Sequence, residues 1–311
     1  MVITKEQLKE RMGYLGGSDA AAILGLSRWG TPLQVYMAKV FPNRDDSETK
    51  IGGKNEAARW GLLMEDVIAQ AWMEDTGKKL YRVNETLIHP DYDFVRANID
   101  RRVVGENVPW EGKNTSAYKK AEWQGNDDIP QEALIQGQHY LSVFDADKIY
   151  YGCCVGGNKL VKAEIGRDEE LIKTIIDAEV HFWNEFVLKK QPPPVTGSER
   201  DGQLLARLYP DASNNSIVLP DEFLDLIQQR QVKRAAIKEM QTLVDEIENK
   251  IKAKIGENKG GVIGNFSVTW ANQTRTSVDT KALKEKHPDI FQSVQKTNSF
   301  RVLRIAETKE K

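Results

Sequence analysis

The sequence predicts a mixed α/β core over residues 1–195 and a C-terminal extension over 196–311. Three observations predict it. Hydrophobic periodicity runs helix, helix, strands, helix, strands, helix through the first part of the chain. The stretch "QPPPVTGSERDG" at 191–202 then breaks both periods. Beyond it Ile237, Met240, Val244, Ile247 and Ile251 alternate steps of three and four, which suits a packed helix hairpin or a short coiled coil.

Each element has a local reason. "TKEQ" at 4–7 is a capping box, Thr4 as N-cap and Gln7 reaching back, so a short helix runs to Gly13. In "GGSDAAAILG", Ser18 or Asp19 can cap a helix that Gly25 stops. "TPLQVYMAKVF" places Pro32 in a first turn. From about Asn55 to Thr76, Trp60, Met64, Val67 and Ala71 recur at helical spacing, and Gly77 ends the run. Residues 79–115 are rich in Val, Ile and Tyr and read as strands broken by "HPDYD" and "VGEN". "PQEALIQGQHYLSVF" returns to helix, and "KIYYGCCVGGNKLVKAEI" is a hairpin turning at Gly156 and Gly157. "DEELIKTIIDAEVHFWNEFVLKK" is an amphipathic helix. In the extension, "NFSVTW" and "FRVLRI" read as a small strand-rich tail.

Composition bounds the function. The 311 residues, 40% hydrophobic and 29% charged, can bury a sizeable core. A net charge of -2 excludes a uniformly basic nucleic-acid coat but not a local patch or a metal that holds phosphates. Only Cys153 and Cys154 occur, adjacent, so no disulfide framework is expected. His89, His139, His181 and His287 lie too far apart for a zinc pattern. With no signal peptide and no 18-residue apolar run, a soluble cytoplasmic protein with no membrane association is expected.

The chemistry concentrates in "NIDRRVVGENVPWEGKN" at 98–114. If the turn centres on Gly105 and Glu106, Asp100 lies opposite or nearly opposite Glu111, with Cβ atoms roughly 4.5–5.5 Å apart. Like charges so placed repel unless something positive sits between them. Lys113 shares a face with Glu111, and two carboxylates plus a carbonyl or waters suit Mg²⁺. An isolated match of this kind is more often a solvated hairpin, with Lys113 and Arg101 offsetting the acids. On its helix Glu65 shares a stripe with Gly61, Ile68 and Trp72, where a carboxylate either snorkels to water or is paired or metal-bound. Gln136 shares a helix face with Tyr140 and could equally be a packing glutamine. "RMGYLGGSDAAA" leads two glycines into a helix N-terminus, a place for a phosphate, with Arg11 as a fork of donors; its plain alternative is an N-cap beside a surface arginine. There Asp19 would repel a phosphate, so a capping role suits it better. Trp29 reads as a core tryptophan and Lys119 and Lys120 as a solvated pair, although all three could touch DNA.

Taken in order, Gly61 to Glu65 (G-x-x-M-E), Asn98 to Asp100 (N-I-D), Glu111 to Lys113 (E-x-K) and Gln136 to Tyr140 (Q-x-Q-H-Y) resemble the motifs of the YqaJ-type viral recombinases, relatives of the phage lambda exonuclease. "GGSDAAAILGLSRWGTP" resembles that family's N-terminal signature, and the likeness spans roughly residues 10–190. The resemblance implies a restriction-endonuclease-like PD-(D/E)xK core and a 5′ to 3′ exonuclease acting on double-stranded DNA ends to leave 3′ single strands. Endonuclease or nickase activity on the same core, or an inactivated DNA-binding scaffold, are its rivals. Two adjacent cysteines cannot supply the four that a Cas4-like iron–sulfur nuclease needs. Ile99 stands where the superfamily label has proline, a position that supplies no ligand. By resemblance Asp100, Glu111 and the Gly112 carbonyl bind Mg²⁺ or Mn²⁺, two ions in all, and Glu65 is a further, water-mediated ligand. Lys113 would orient or deprotonate the attacking water, or offset charge on the phosphate, and Gln136 would position the nucleophile or Lys113. Arg11 and Ser18 would grip the 5′-phosphate, with Asn98 beside them. A ring-shaped trimer and a phage single-strand annealing protein are the implied partners.

Overall fold

The structure, a computed structural model, describes residues 10–41, 56–126, 128–297 and 299–307. It divides into two units, Met1–Arg207 and Leu208–Lys311. The Thr4–Gln7 capping box and Asn55 lie outside the described residues. Among those described, no helix is long and apolar enough to cross a membrane.

In the first unit, α1 (Gly17–Ile23), α2 (Pro32–Val40) and α3 (Glu56–Thr76) precede strands β1 (Leu80–Arg82), β2 (Leu87–Ile88), β3 (Arg96–Ala97), β4 (Arg101–Val103) and β5 (Pro109–Thr115). A 3₁₀ segment (Ala117–Glu122), α4 (Gln131–Val143), β6 (Lys148–Val155), β7 (Lys159–Gly166), α5 (Glu169–Phe182) and α6 (Glu199–Leu208) follow. The main sheet has the order β1-β4-β5-β6-β7, with β5 and β6 parallel and the other neighbours antiparallel. This is the mixed sheet the sequence predicts.

Strand alternation sorts side chains between two helical layers. Ile149, Tyr151, Cys153 and Val155 of β6 join Ala133, Tyr140 and Leu141 of α4 and Ile172 and Ile176 of α5 in one core. Tyr150 and Cys154 face the other way, onto Ile68, Ala69 and Trp72 of α3. The two cysteines are therefore free, buried and on opposite faces, and burial pushes the Cys153 thiol up to about 12. Gly152, just before them, has no room for a side chain: a Cβ there would lie 2.8 Å from the Trp110 ring. Gly156 and Gly157 turn the β6–β7 hairpin with φ of 66° and 79°, as expected for left-handed positions.

Three local expectations change. The N-cap of α1 is Gly16, and of the two capping candidates only Asp19 takes a capping role, its carboxylate accepting from the Gly16 N–H at 3.1 Å; Ser18, the second helical residue, caps nothing. On α3 the buried residues are Ile68, Ala69 and Trp72, while Trp60 and Val67 stand 50% and 56% exposed. The core face is thus turned toward the side that carries Glu65, because Trp72 packs against Trp110 and Tyr150. Finally, α6 belongs to the first unit beyond the proline-rich break: Asp201 and Leu204 are buried, and Thr31 Oγ1 donates to Asp201 at 2.6 Å.

The second unit holds α7 (Glu222–Ile255), the hairpin β8 (Gly260–Ile263) and β9 (Phe266–Thr269), and short helices α8 (Thr280–Lys286) and α9 (Pro288–Val294). The run that suited a helix hairpin is one unbroken helix of 34 residues. "NFSVTW" supplies β9, but "FRVLRI" at 300–305 is irregular, since no strand among the described residues pairs with it.

Candidate active site

The β4–β5 hairpin sets the acidic pair. Arg101 pairs with Trp110 and Arg102 with Pro109, so continuing the register puts Asp100 opposite Glu111, the arrangement the sequence implies. Gly105 turns the chain at φ 80°. The Gly112 N–H donates to Asp100 Oδ2 at 2.9 Å, which fixes the carboxylate across the hairpin.

Glu111 and Lys113, two residues apart on β5, share the face that meets α4. Lys113 Nζ donates to Glu111 Oε1 at 2.8 Å and to Gln136 Oε1 at 2.7 Å. The Gln136 amide donates to the same Glu111 oxygen at 2.9 Å and to the Tyr140 hydroxyl at 2.7 Å. Its orientation is dictated: a reversed amide would set N–H groups against the ammonium and its oxygen against the carboxylate. Tyr140, which the sequence suggested only as a neighbour on the same helix face, holds Gln136.

A cleft of about 450 Å³ brings the remaining candidates together, lined by Arg11, Ser18, Glu65, Asn98, Asp100 and Gln136 among others. Glu65 Oε1 accepts from Arg101 at 2.9 Å, and burial and the Asp100 charge raise its pKa. Arg11 donates to Ser18 Oγ at 3.3 Å. Asn98 is held by Thr86, which donates to its Oδ1 at 2.7 Å, and by Tyr14, which accepts from its Nδ2 at 2.8 Å. Lys39 is a participant that sequence reading missed. Its Nζ donates to the Asp19 carboxylate at 2.8 Å and to the Arg11 carbonyl at 2.9 Å. That neutralises the carboxylate whose repulsion a bound phosphate would feel, and it fixes the Arg11 backbone. Burial works against ionising Asp19, but Lys39 and the Gly16 N–H outweigh it and hold the carboxyl below its usual range.

The donor set fits a divalent cation. Burial and the neighbouring Glu111 charge push Asp100 up to about 7, against the opposing pull of Gly112, Lys113 and Arg101. Glu111 Oε2 is buried with no hydrogen-bond partner among the described residues, an acceptor beside a carboxyl that resists ionising. Both features suit a positive charge placed between the two carboxylates. Among the described residues no three His, Cys, Asp or Glu side chains gather as a metal cage. An ion here would therefore complete its shell from backbone carbonyls and water, as Mg²⁺ readily does.

On the far side of Gln136, Trp29 departs from its expected core position: it is 65% exposed, with Lys119 Nζ 5.8 Å from its ring centre. Lys119 is not simply solvated, since it also donates to Glu122 at 3.1 Å.

The profile of the YqaJ-like viral recombinase domain matches residues 6–147. "Uncharacterized protein YqaJ" of Bacillus subtilis (strain 168) is 38% identical over 306 residues, 97% of this chain and 94% of its own length. Among solved structures, the alkaline exonuclease LHK-Exo from Laribacter hongkongensis, in complex with dAMP, is 16% identical with a TM-score of 0.46, covering 66% of this chain and 100% of that one. A phage related exonuclease from Haemophilus somnus 129PT is 14% identical with a TM-score of 0.39, covering 57% of this chain and 96% of that one.

Proposed function

Because the chain belongs to the YqaJ-like viral recombinase family, we propose that it is a metal-dependent exodeoxyribonuclease that digests double-stranded DNA ends 5′ to 3′ and leaves 3′ single strands for annealing. One observation carries the reading: the Lys113 ammonium bridges Glu111 and Gln136 within hydrogen-bond distance, beside Asp100 and a buried carboxylate oxygen that has no partner among the described residues. Asp100, Glu111 and the Gly112 carbonyl would hold Mg²⁺ or Mn²⁺, two ions in all, with Glu65 reaching them through water. When bound, such ions acidify water and neutralise charge on the phosphodiester. Lys113 orients the attacking water and offsets the negative charge that gathers as phosphorus becomes pentacovalent. Gln136 keeps the ammonium in place, and Tyr140 keeps Gln136 in place. Arg11 and Ser18 receive the terminal 5′-phosphate, with Asn98 as a wall held by Tyr14 and Thr86. A trimer around the duplex and a single-strand annealing protein as partner complete the proposal.

The test is linear duplex incubated with Mg²⁺ or Mn²⁺. Digestion by the wild type and its loss in Asp100→Ala and Lys113→Ala support the enzyme; intact DNA with wild-type protein leaves a scaffold. Circular DNA separates exonuclease from nickase. Arg11→Ala should erase the preference for 5′-phosphorylated over 5′-hydroxyl ends, and a retained preference would remove Arg11 from the pocket.

A further inference from the structure

Two openings flank the Lys113–Gln136 pair. One is the cleft that holds Arg11 and Asp100. The other, about 340 Å³, is lined by Arg28, Trp29, Lys113, Lys119 and Gln136 among others. Gly17, Ser18 and Gln136 border both, so a strand laid across Lys113 can enter by one opening and leave by the other.

The second opening is furnished by a loop between α1 and α2 that is held firmly although its largest side chain faces water. Ser27 Oγ accepts from the N–H groups of Trp29 at 3.0 Å and Gly30 at 3.2 Å. The Arg28 guanidinium donates to Glu132 at 2.7 Å and to Glu122 at 2.8 Å, and Arg200 Nε donates to the Arg28 carbonyl at 3.1 Å. An exposed indole on an anchored loop is pre-organised for a partner with a flat face. Lys119 Nζ sits over the ring, 5.8 Å from its centre, and the 65% exposure of Trp29 leaves surface for that partner.

We propose that Trp29 stacks on the base of the nucleotide immediately 3′ of the scissile phosphate, with Lys119 backing the indole. The proposal rests on the exonuclease reading of the site. If the terminal nucleotide occupies the first cleft, its phosphate on Arg11 and Ser18, the next nucleotide emerges past Lys113 into the second. Stacking accepts any base, because every base has a π face, and an enzyme that consumes an end must accept whichever base arrives.

The experiment uses the full chain and a 5′-phosphorylated duplex with 2-aminopurine at the first or second nucleotide, bound with Ca²⁺ in place of Mg²⁺. Fluorescence at the second position should be quenched by the wild type and several-fold brighter with Trp29→Ala, while the first position reads the same with both proteins. With Mg²⁺, Trp29→Ala should raise KM about 10-fold, the order one base–aromatic stack supplies, and Trp29→Phe should recover most of that. Equal quenching and equal KM in wild type and Trp29→Ala, with both proteins binding DNA, would overturn the proposal. A change of molar mass by light scattering in Trp29→Ala would also overturn it, assigning the indole to a contact between copies. Wild-type quenching at the second position without any digestion would keep the stack and sink the exonuclease reading instead.

Discussion

The two units treat apolar side chains in opposite ways. In Met1–Arg207, Trp72, Trp110, Tyr151 and Ile175 are almost wholly buried. In Leu208–Lys311 no described residue is buried, and the α7 stripe of Ile237, Met240, Val244, Ile247 and Ile251 is 41–66% exposed. The first unit thus folds around a core, as burial of large side chains requires. What holds α7 together is local: backbone hydrogen bonds and ion pairs one turn apart, such as Lys250–Glu246 and Lys252–Glu248, each worth about 0.2–0.5 kcal/mol. Every residue placed in the candidate site also belongs to the first unit. The candidate site and the buried core thus share one region, while the extension offers surface.

The strongest way to break that division is activity. Lys113→Ala or Asp100→Ala should lower the digestion rate by ~10²–10³-fold, the order lost when one pre-organised charge at a reacting centre is removed. The paired change Val244→Lys/Ile247→Lys on α7 should leave single-turnover digestion of a short duplex within about threefold. Comparable losses from both would show that the extension takes part in the chemistry.

Stability sharpens the same contrast. Gly152→Ala must push a methyl into Trp110 and Ile68, whose atoms would lie 2.8 and 3.2 Å away. Such overpacking costs about 1–3 kcal/mol. Ile247→Ala removes more carbon from a residue 58% exposed, yet should cost no more than about 0.5 kcal/mol beyond its helix-propensity change. Denaturant melts of the two variants compare them directly. A large loss for Ile247→Ala would mean that the stripe is covered in solution.

What could be read from sequence follows the same line. The opposition of Asp100 and Glu111 was legible because a hairpin register is set by its turn, and Gly105 marks that turn. Glu65 was legible because its stripe includes Ile68 and Trp72, which are the residues α3 buries. By contrast, Trp60 and Val67 keep helical spacing on an exposed side; periodicity marks a helix but not which of two apolar stripes meets the sheet. Lys39 was invisible, since its bonds to Asp19 and Arg11 join α2 to α1 through tertiary structure. Trp29 was misread because composition favours burying an indole, whereas its loop is anchored through Ser27, Glu122, Glu132 and Arg200, tertiary contacts that periodicity does not show. On α7, apolar spacing alone could not distinguish one long helix from two packed ones.

The acidic pair gives a smaller and opposite effect. Without metal, Asp100 carries charge against burial and against Glu111, so Asp100→Asn should stabilise the metal-free protein by ~1–2 kcal/mol at pH 8, a value discounted for solvent screening. The same variant should lose the rise in melting temperature that Mg²⁺ or Mn²⁺ gives the wild type. A wild type whose melting is indifferent to either ion would count against cation binding between the carboxylates.

Smallest is a pH effect at a buried ion pair, where the first unit again differs from α7. His139 is fully buried; its Nδ1 lies 2.8 Å from Glu179 and its Nε2 2.9 Å from the Arg96 carbonyl. Burial lowers its pKa, but the charge and hydrogen bond of Glu179, the Arg96 carbonyl and the more distant Asp19 together raise it above 6.5. The folded state therefore holds this proton more tightly than the unfolded chain does. Its contribution is complete below about pH 6.5, the unfolded value, and is lost as pH rises through the folded value, at about 1.4 kcal/mol for each unit of separation. A double change, His139→Gln with Glu179→Gln, removes the titrating pair without leaving a lone buried charge. Its stability, followed by denaturant melts from pH 6 to 9, should fall less steeply than that of the wild type. The α7 pair Lys250–Glu246, by contrast, is open to water, its side chains 73% and 58% exposed. Equal slopes in the wild type and the His139 double variant would mean that the imidazole is neutral in the folded protein.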